Sequence, residues 1–193
     1  RTAGKAELRQ KLGLDATKIY CTFVGGLTQI KRPDRLLDIA AAMQARGVAI
    51  EFLVAGEGEL FAQSQTRAKS EQLPVTFLGW RKDIDELFAA SDIAILTSDN
   101  EGIPLTLIQA AQAALPIIAP KVGSISDIVE NDVTGFLTSP APGAMASALS
   151  ALATDENLRI QLGGAGKKRA SELFSLERML RDHTEIYHLA HNK

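Results

Sequence analysis

Short apolar runs without polar alternation recur along this chain, and each is followed by a segment with helical spacing. A strand covered on both faces has no solvent side to mark with polar residues, so such runs describe strands of a parallel sheet between helical layers. The runs are 19–24, 50–54, 75–78, 93–97, 116–119 and the weaker 135–137. Helical segments are expected at 33–46, 59–71, 83–90, 104–114, 143–153, 155–173 and 175–190. Residues 33–46 place Leu36, Leu37, Ile39, Ala40 and Met43 on one face, with Pro33 in the first turn and Gly47 as the stop. Asp83 is expected to cap the helix that follows it, Ser124 or Ser126 the one after the fifth strand, and Ser175 the last.

The expected fold is α/β: a doubly wound, parallel, six-stranded Rossmann-like sheet with an extra C-terminal helix. Residues 1–173 form the sheet domain. Residues 174–193 form a helix that packs across it or against a domain outside this chain. In such sheets ligands sit beyond the carboxyl ends of the strands, so function is sought in the loops there. A length of 193 residues suits one domain with a buried core. The net charge of -2 argues against a nucleic-acid partner. No apolar run is long enough to span a bilayer. The single Cys21 lies in a strand-like run and is expected to be a buried, inert thiol, which fits a reducing, cytoplasmic setting. Arg1 does not read as a natural start, so the protein is expected to extend upstream.

Five loops share one trait. Each can bring backbone close to a ligand, or offers an anion site. After the first strand, Gly25 and Gly26 precede Lys31 and Arg32. After the second, Gly56 and Gly58 turn the chain, with Glu57 and Glu59 placed to favour a helix dipole. After the third, Gly79, Trp80 and Arg81 offer a flat backbone, an aromatic face and a cation. After the fourth, Glu101 and the segment Gly102, Ile103, Pro104, Leu105 open a helix whose free amides suit a pyrophosphate. Gln109 lies eight residues beyond Glu101, at most about 12 Å along a helix axis. After the fifth, Gly123 and Ser124 form another small-residue turn. Read singly, most of these loops are better explained as tight structural turns, and Trp80 as a packing residue. Their concurrence at one sheet edge is what points to a nucleotide site.

From Tyr20 to Ser139 the chain resembles the donor-binding domain of the retaining GT-B glycosyltransferases known as group one. The resemblance rests on FVGGL with Lys31 (from Phe23), VAGEGEL (Val54–Leu60) and VTFLGW (Val75–Trp80). It continues through S-x-x-EGIPLTLIQA (Ser98–Ala110), the Pro116–Gly123 strand and turn, and DVTGFL (Asp132–Leu137). It implies a nucleotide-sugar donor held between two Rossmann domains. It assigns the Lys31 cation to the diphosphate and the Glu101 carboxylate to the donor sugar, both catalytic. It implies donor contacts from Gly25, Gly26, Gly56, Gly79, Trp80, Arg81, Gly102, Ile103, Pro104, Leu105 and Gln109. It implies no cofactor and no metal. The acceptor, a sugar, lipid or polysaccharide, would bind the other domain, and any membrane association would lie there too.

Two positions depart from the family pattern. Gly26 stands where the family commonly has Arg, and Gln109 where it usually has a ribose-binding Glu. Arg32 or Lys121 are candidate substitutes for the missing cation. A second reading follows, a GT-B-like binding or interaction module without efficient chemistry. A redox-dinucleotide domain fits poorly, because the first loop lacks GxGxxG. His188 and His191 near the C-terminus are read as solvated or packing residues rather than metal ligands.

Overall fold

The computed structural model describes residues 4–191. Helix α1 (Gly4–Lys11) precedes strand β1 (Tyr20–Val24). There follow α2 (Pro33–Ala45), β2 (Glu51–Ala55), α3 (Phe61–Ser70), β3 (Val75–Gly79), α4 (Ile84–Ala90) and β4 (Ile93–Ile95). The second half comprises α5 (Leu105–Gln112), β5 (Ile117–Pro120), α6 (Ile125–Ile128), β6 (Gly135–Thr138), α7 (Pro142–Thr154), α8 (Glu156–Leu173) and α9 (Leu176–His191). All strand pairs are parallel, in the order β3-β2-β1-β4-β5-β6. The expected six-stranded doubly wound sheet is therefore the observed one.

The apolar runs become strands because both faces are covered. Cys21 and Phe23 in β1 and Phe52 and Val54 in β2 lie in a core roofed by α2 and α7. Ala94, Ile117 and Ala119 lie in a second core under α5, α6 and α8. Cys21 is fully buried, and burial pushes its thiol pKa well up, so the inert reading holds. Register places Cys21 opposite Phe52 on one side and Ile93 on the other.

Helix α1 is stapled to the amino end of the sheet by an almost fully buried ion pair. Arg9 donates to Asp92 Oδ2 at 2.6 Å and to the Ala90 carbonyl at 2.9 Å. Asp92 also accepts the Tyr20 amide at 2.8 Å. This network lies at the sheet edge opposite the loops of interest.

Several local expectations are corrected. Strand β4 stops at Ile95, not residue 97, because the Arg35 guanidinium takes the Thr97 carbonyl at 2.5 Å. Asp83 occupies the N-cap of α4 but caps nothing. Its carboxylate is held by Arg81, a charge-assisted fork that outcompetes a neutral amide. Ser124 at the start of α6 gives no side-chain cap either, and Ser126 lies inside that short helix. Ser175 does cap α9, accepting the Arg178 amide at 3.2 Å, and Asp155 caps α8.

Candidate donor site at the carboxyl edge of the sheet

Strand order reverses between β1 and β4, so their carboxyl ends open a crevice. The loops after β1, β2 and β3 are tied to one another by backbone hydrogen bonds. The Gly25 amide donates to Ala55 at 3.0 Å and the Gly56 amide to Gly79 at 2.8 Å. Leu27 donates to Glu57, and Leu60 to Leu27, both at 2.9 Å. Gly56 has φ 142°, and a Cβ there would lie 1.9 Å from the Gly25 carbonyl oxygen. Its missing side chain makes room for the neighbouring loop. Glu57 and Glu59 also serve this knitting. Glu59 accepts the Gln29 amide at 3.1 Å and Glu57 the Trp80 amide at 3.4 Å.

Lys31 closes a single 3-10 turn, Gln29–Lys31. Thr97 Oγ1 donates to the Lys31 carbonyl at 2.8 Å and the Asp99 amide to the Ile30 carbonyl at 2.9 Å. These bonds fasten the β1 and β4 loops together and bring the two catalytic candidates into contact. Lys31 Nζ meets Glu101 Oε1 at 2.5 Å. The same oxygen accepts from Ser98 Oγ at 2.6 Å. The Glu101 side chain is 9% exposed and that of Lys31 27%. Gly123, at φ 51°, lets the β5 loop support Glu101 from below, with the Ser124 amide donating to the Glu101 carbonyl at 3.2 Å.

Helix α5 begins just beyond. Pro104 is extended and buried at its N-cap, with no side chain capping the helix. The amides of Gly102, Ile103, Leu105 and Thr106 donate to no acceptor among the described residues. A helix start of this kind carries partial positive charge and open donors. Ile103 and Leu105 expose 53% and 72% of their surface. With Ile108, Phe174 and Met179 they line a groove of about 550 Å³ reaching the base of α9.

The remaining candidates are more dispersed. Trp80 is 70% exposed beside Gly79 at φ 65°, free to present its ring. Arg81 is engaged by Asp83. Gln109 donates to Asp85 Oδ1 at 3.3 Å. Arg32 is committed to Asp34 and Asp99 and offers no spare cation. Asp99 is held below the usual carboxylate range, chiefly by its hydrogen bond from Arg35 and then by Arg32. Lys121 is exposed, and its ammonium has no ion-pair partner among the described residues. Gly26 is not in a left-handed conformation, and a Cβ there would meet only ordinary contacts, at 3.5 Å and beyond. Of two larger hollows, one of about 620 Å³ lies at the amino end of β1 and β2, and one of about 630 Å³ lies beside the β1 and β2 loops between Arg32, Glu59 and Asp99; neither is lined by Lys31 or Glu101. Among the described residues no cluster of three His, Cys, Asp or Glu could hold a metal ion. The side chains of His188 and His191 lie outside the described residues. No described helix is long and apolar enough to cross a membrane.

Sequence reasoning did not place Ser98 against Glu101 or Asp85 against Gln109. The Ser98-x-x-Glu101 spacing was a local signal for the first. Nothing local connects Asp85 to Gln109, 24 residues apart.

A parallel sheet in this order, with glycine-walled loops and an open helix start at its carboxyl edge, defines a Rossmann-type ligand-binding domain. The model of the family "Glycosyl transferases group 1" matches residues 4–169, and the chain belongs to that family. It is 32% identical over 187 residues to the D-inositol 3-phosphate glycosyltransferase of Segniliparus rotundus, covering 92% of this chain and 41% of that protein. The structure of Anabaena Alr3699/HepE in complex with UDP-glucose superposes with a TM-score of 0.86 at 25% identity, over 96% of this chain and 52% of that one. The C-terminal domain of a group 1 glycosyl transferase (LpcC) from Francisella tularensis shares the fold, with a TM-score of 0.79 at 20% identity over 89% of this chain and 93% of that one. The chain spans less than half the length of the curated relatives it matches.

Proposed function

We propose that this chain is the donor-binding half of a retaining glycosyltransferase that moves a sugar from a nucleotide-sugar to an acceptor held by its other half. The observation that carries the reading is the Lys31–Glu101 pair beside the open amides of α5. A diphosphate at that helix start would draw Lys31 from Glu101, and the freed carboxylate would face the donor sugar. Gln109 would hydrogen-bond the ribose, with Gly79 and Trp80 near the base. In the transfer, the bond from the sugar's anomeric carbon to the diphosphate breaks and the acceptor oxygen bonds that carbon. The acceptor proton passes to the departing phosphate. Lys31 and the α5 amides stabilise the developing negative charge, an electrostatic role that calls for no metal. A cytoplasmic setting is part of this proposal.

The test is a titration of the chain and of the full-length protein with UDP, GDP, ADP and their sugar conjugates, read by calorimetry and thermal shift. Selective binding is expected, stabilising by about 2.7 kcal/mol at one hundred times the dissociation constant. Failure of every nucleotide to bind either protein would sink the reading.

The second reading, a module without efficient chemistry, is favoured by Gly26 and Gln109. Because a Cβ fits at position 26, Gly26→Arg is expected to fold and to tighten diphosphate binding by roughly tenfold, one charge-assisted hydrogen bond's worth. An unchanged dissociation constant would show that Gly26 is no deficiency.

Helix α9 is proposed to dock on the other half. Its Met179 and Leu180 are half exposed and Tyr187 more so. Deleting residues 175–190 from the full-length protein should expand its small-angle scattering profile, and an unaltered profile would reject the docking.

A further inference from the structure

We propose that Ser98 is a positioning residue that keeps the Glu101 carboxylate aimed at the donor sugar once Lys31 has left it. This rests on the reading of Glu101 given above. Ser98 is completely buried. Its backbone is clamped on both sides. Arg35 donates to the Thr97 carbonyl at 2.5 Å and to the Asp99 carboxylate at 2.6 Å, and Thr97 Oγ1 holds the Lys31 carbonyl. The Ser98 hydroxyl therefore has little freedom, and its single proton goes to Glu101 Oε1.

Both protein donors converge on that one oxygen. Among the described residues Oε2 has no hydrogen-bond partner, and no buried side-chain oxygen or nitrogen lacks one. Oε2 is thus the oxygen that reaches solvent. The carboxylate is held by one edge and presents the other.

Lys31 cannot serve as the permanent holder, because a diphosphate competes for the same ammonium. When Lys31 turns to the phosphates, Ser98 is the donor that remains on Oε1. Without its hydroxyl the carboxylate would follow the lysine or swing into water. Ground-state donor binding would change little, while the interaction made with the sugar in the transition state would be lost. That pattern lowers kcat and leaves KM nearly unaltered.

The experiment compares Ser98→Ala, Ser98→Cys and Glu101→Gln in the full-length protein. Nucleoside diphosphate release is measured from UDP-glucose, GDP-mannose and ADP-glucose, with donor Kd and Tm taken on the same samples. Cysteine keeps the shape of serine but is a weak donor, so it separates the hydrogen bond from packing. The expected result is an inactive Glu101→Gln protein. Both Ser98 variants should lose kcat by roughly 10- to 100-fold, with donor Kd and KM within about twofold. A Ser98→Ala protein with wild-type kcat beside an inactive Glu101→Gln protein would overturn this inference alone. Parallel loss of donor binding and Tm in both Ser98 variants would make Ser98 a packing residue and overturn it too. A fully active Glu101→Gln protein would overturn the role of Glu101 and this inference with it.

Discussion

Replacing Lys31 by alanine is expected to weaken nucleoside diphosphate binding by roughly tenfold and to lower sugar transfer by about a hundredfold or more. The two numbers differ for a physical reason. In the free protein Lys31 is already paired with Glu101, so binding a diphosphate exchanges one anion for another. Only the surplus of the new interaction over the old appears as affinity. In the transition state negative charge grows on the leaving phosphate, and an ammonium in a partly closed site is worth most there. The same logic gives an opposite sign for the partner. Glu101→Gln removes the competing anion, so diphosphate should bind as tightly as in the wild type or more tightly, while transfer falls. Calorimetry on both variants reads the two signs directly. Equal weakening in both would mean that the pair acts only as a structural tie. Unchanged binding and transfer in Lys31→Ala would remove the lysine from the site.

A methyl group at Gly123 is expected to destabilise the fold by about 3 kcal/mol, combining a left-handed backbone with a steric collision. The added Cβ would lie 1.8 Å from the Glu101 carbonyl oxygen, at φ 51°. No side-chain rotation relieves a contact with backbone, so the loop carrying Glu101 must move. For a domain of this size the loss corresponds to a fall in Tm of roughly 6–12 °C. Donor binding should fail with it, because the displaced loop leads into the open amides of α5. Gly102→Ala is the matched control. A Cβ there meets nothing within 4 Å, so stability should change by less than about 0.5 kcal/mol. Melting curves for the two variants suffice. Equal Tm values would show that the close packing of the β5 loop on Glu101 is not what holds the site together.

The site was legible in part. The glycine-bearing loops and the helix opening at Leu105 follow from local chemistry: residues that free the backbone, a proline at a helix start, a run of good helix formers. The alternation of apolar runs and helical segments was enough for a parallel sheet, since each run carries its own evidence of burial on two faces. Helix boundaries fell within two residues of expectation. Capping failed at Asp83 because the winning partner, Arg81, is a guanidinium whose fork geometry outweighs a single amide. Arg32 looked like a spare cation in the sequence and is spent on Asp34 and Asp99, the latter 67 residues away.

What a chain of this composition declares in one dimension is its periodicity and its turn chemistry, because those act between residues a few positions apart. The strand order, the crevice between β1 and β4, and the meeting of Lys31 with Glu101 across 70 residues are properties of folding. They depend on which strands pair and which loops then share an edge. Charges make this gap widest. An ionic side chain takes whichever opposite charge the fold brings near, and no local pattern records which one that is.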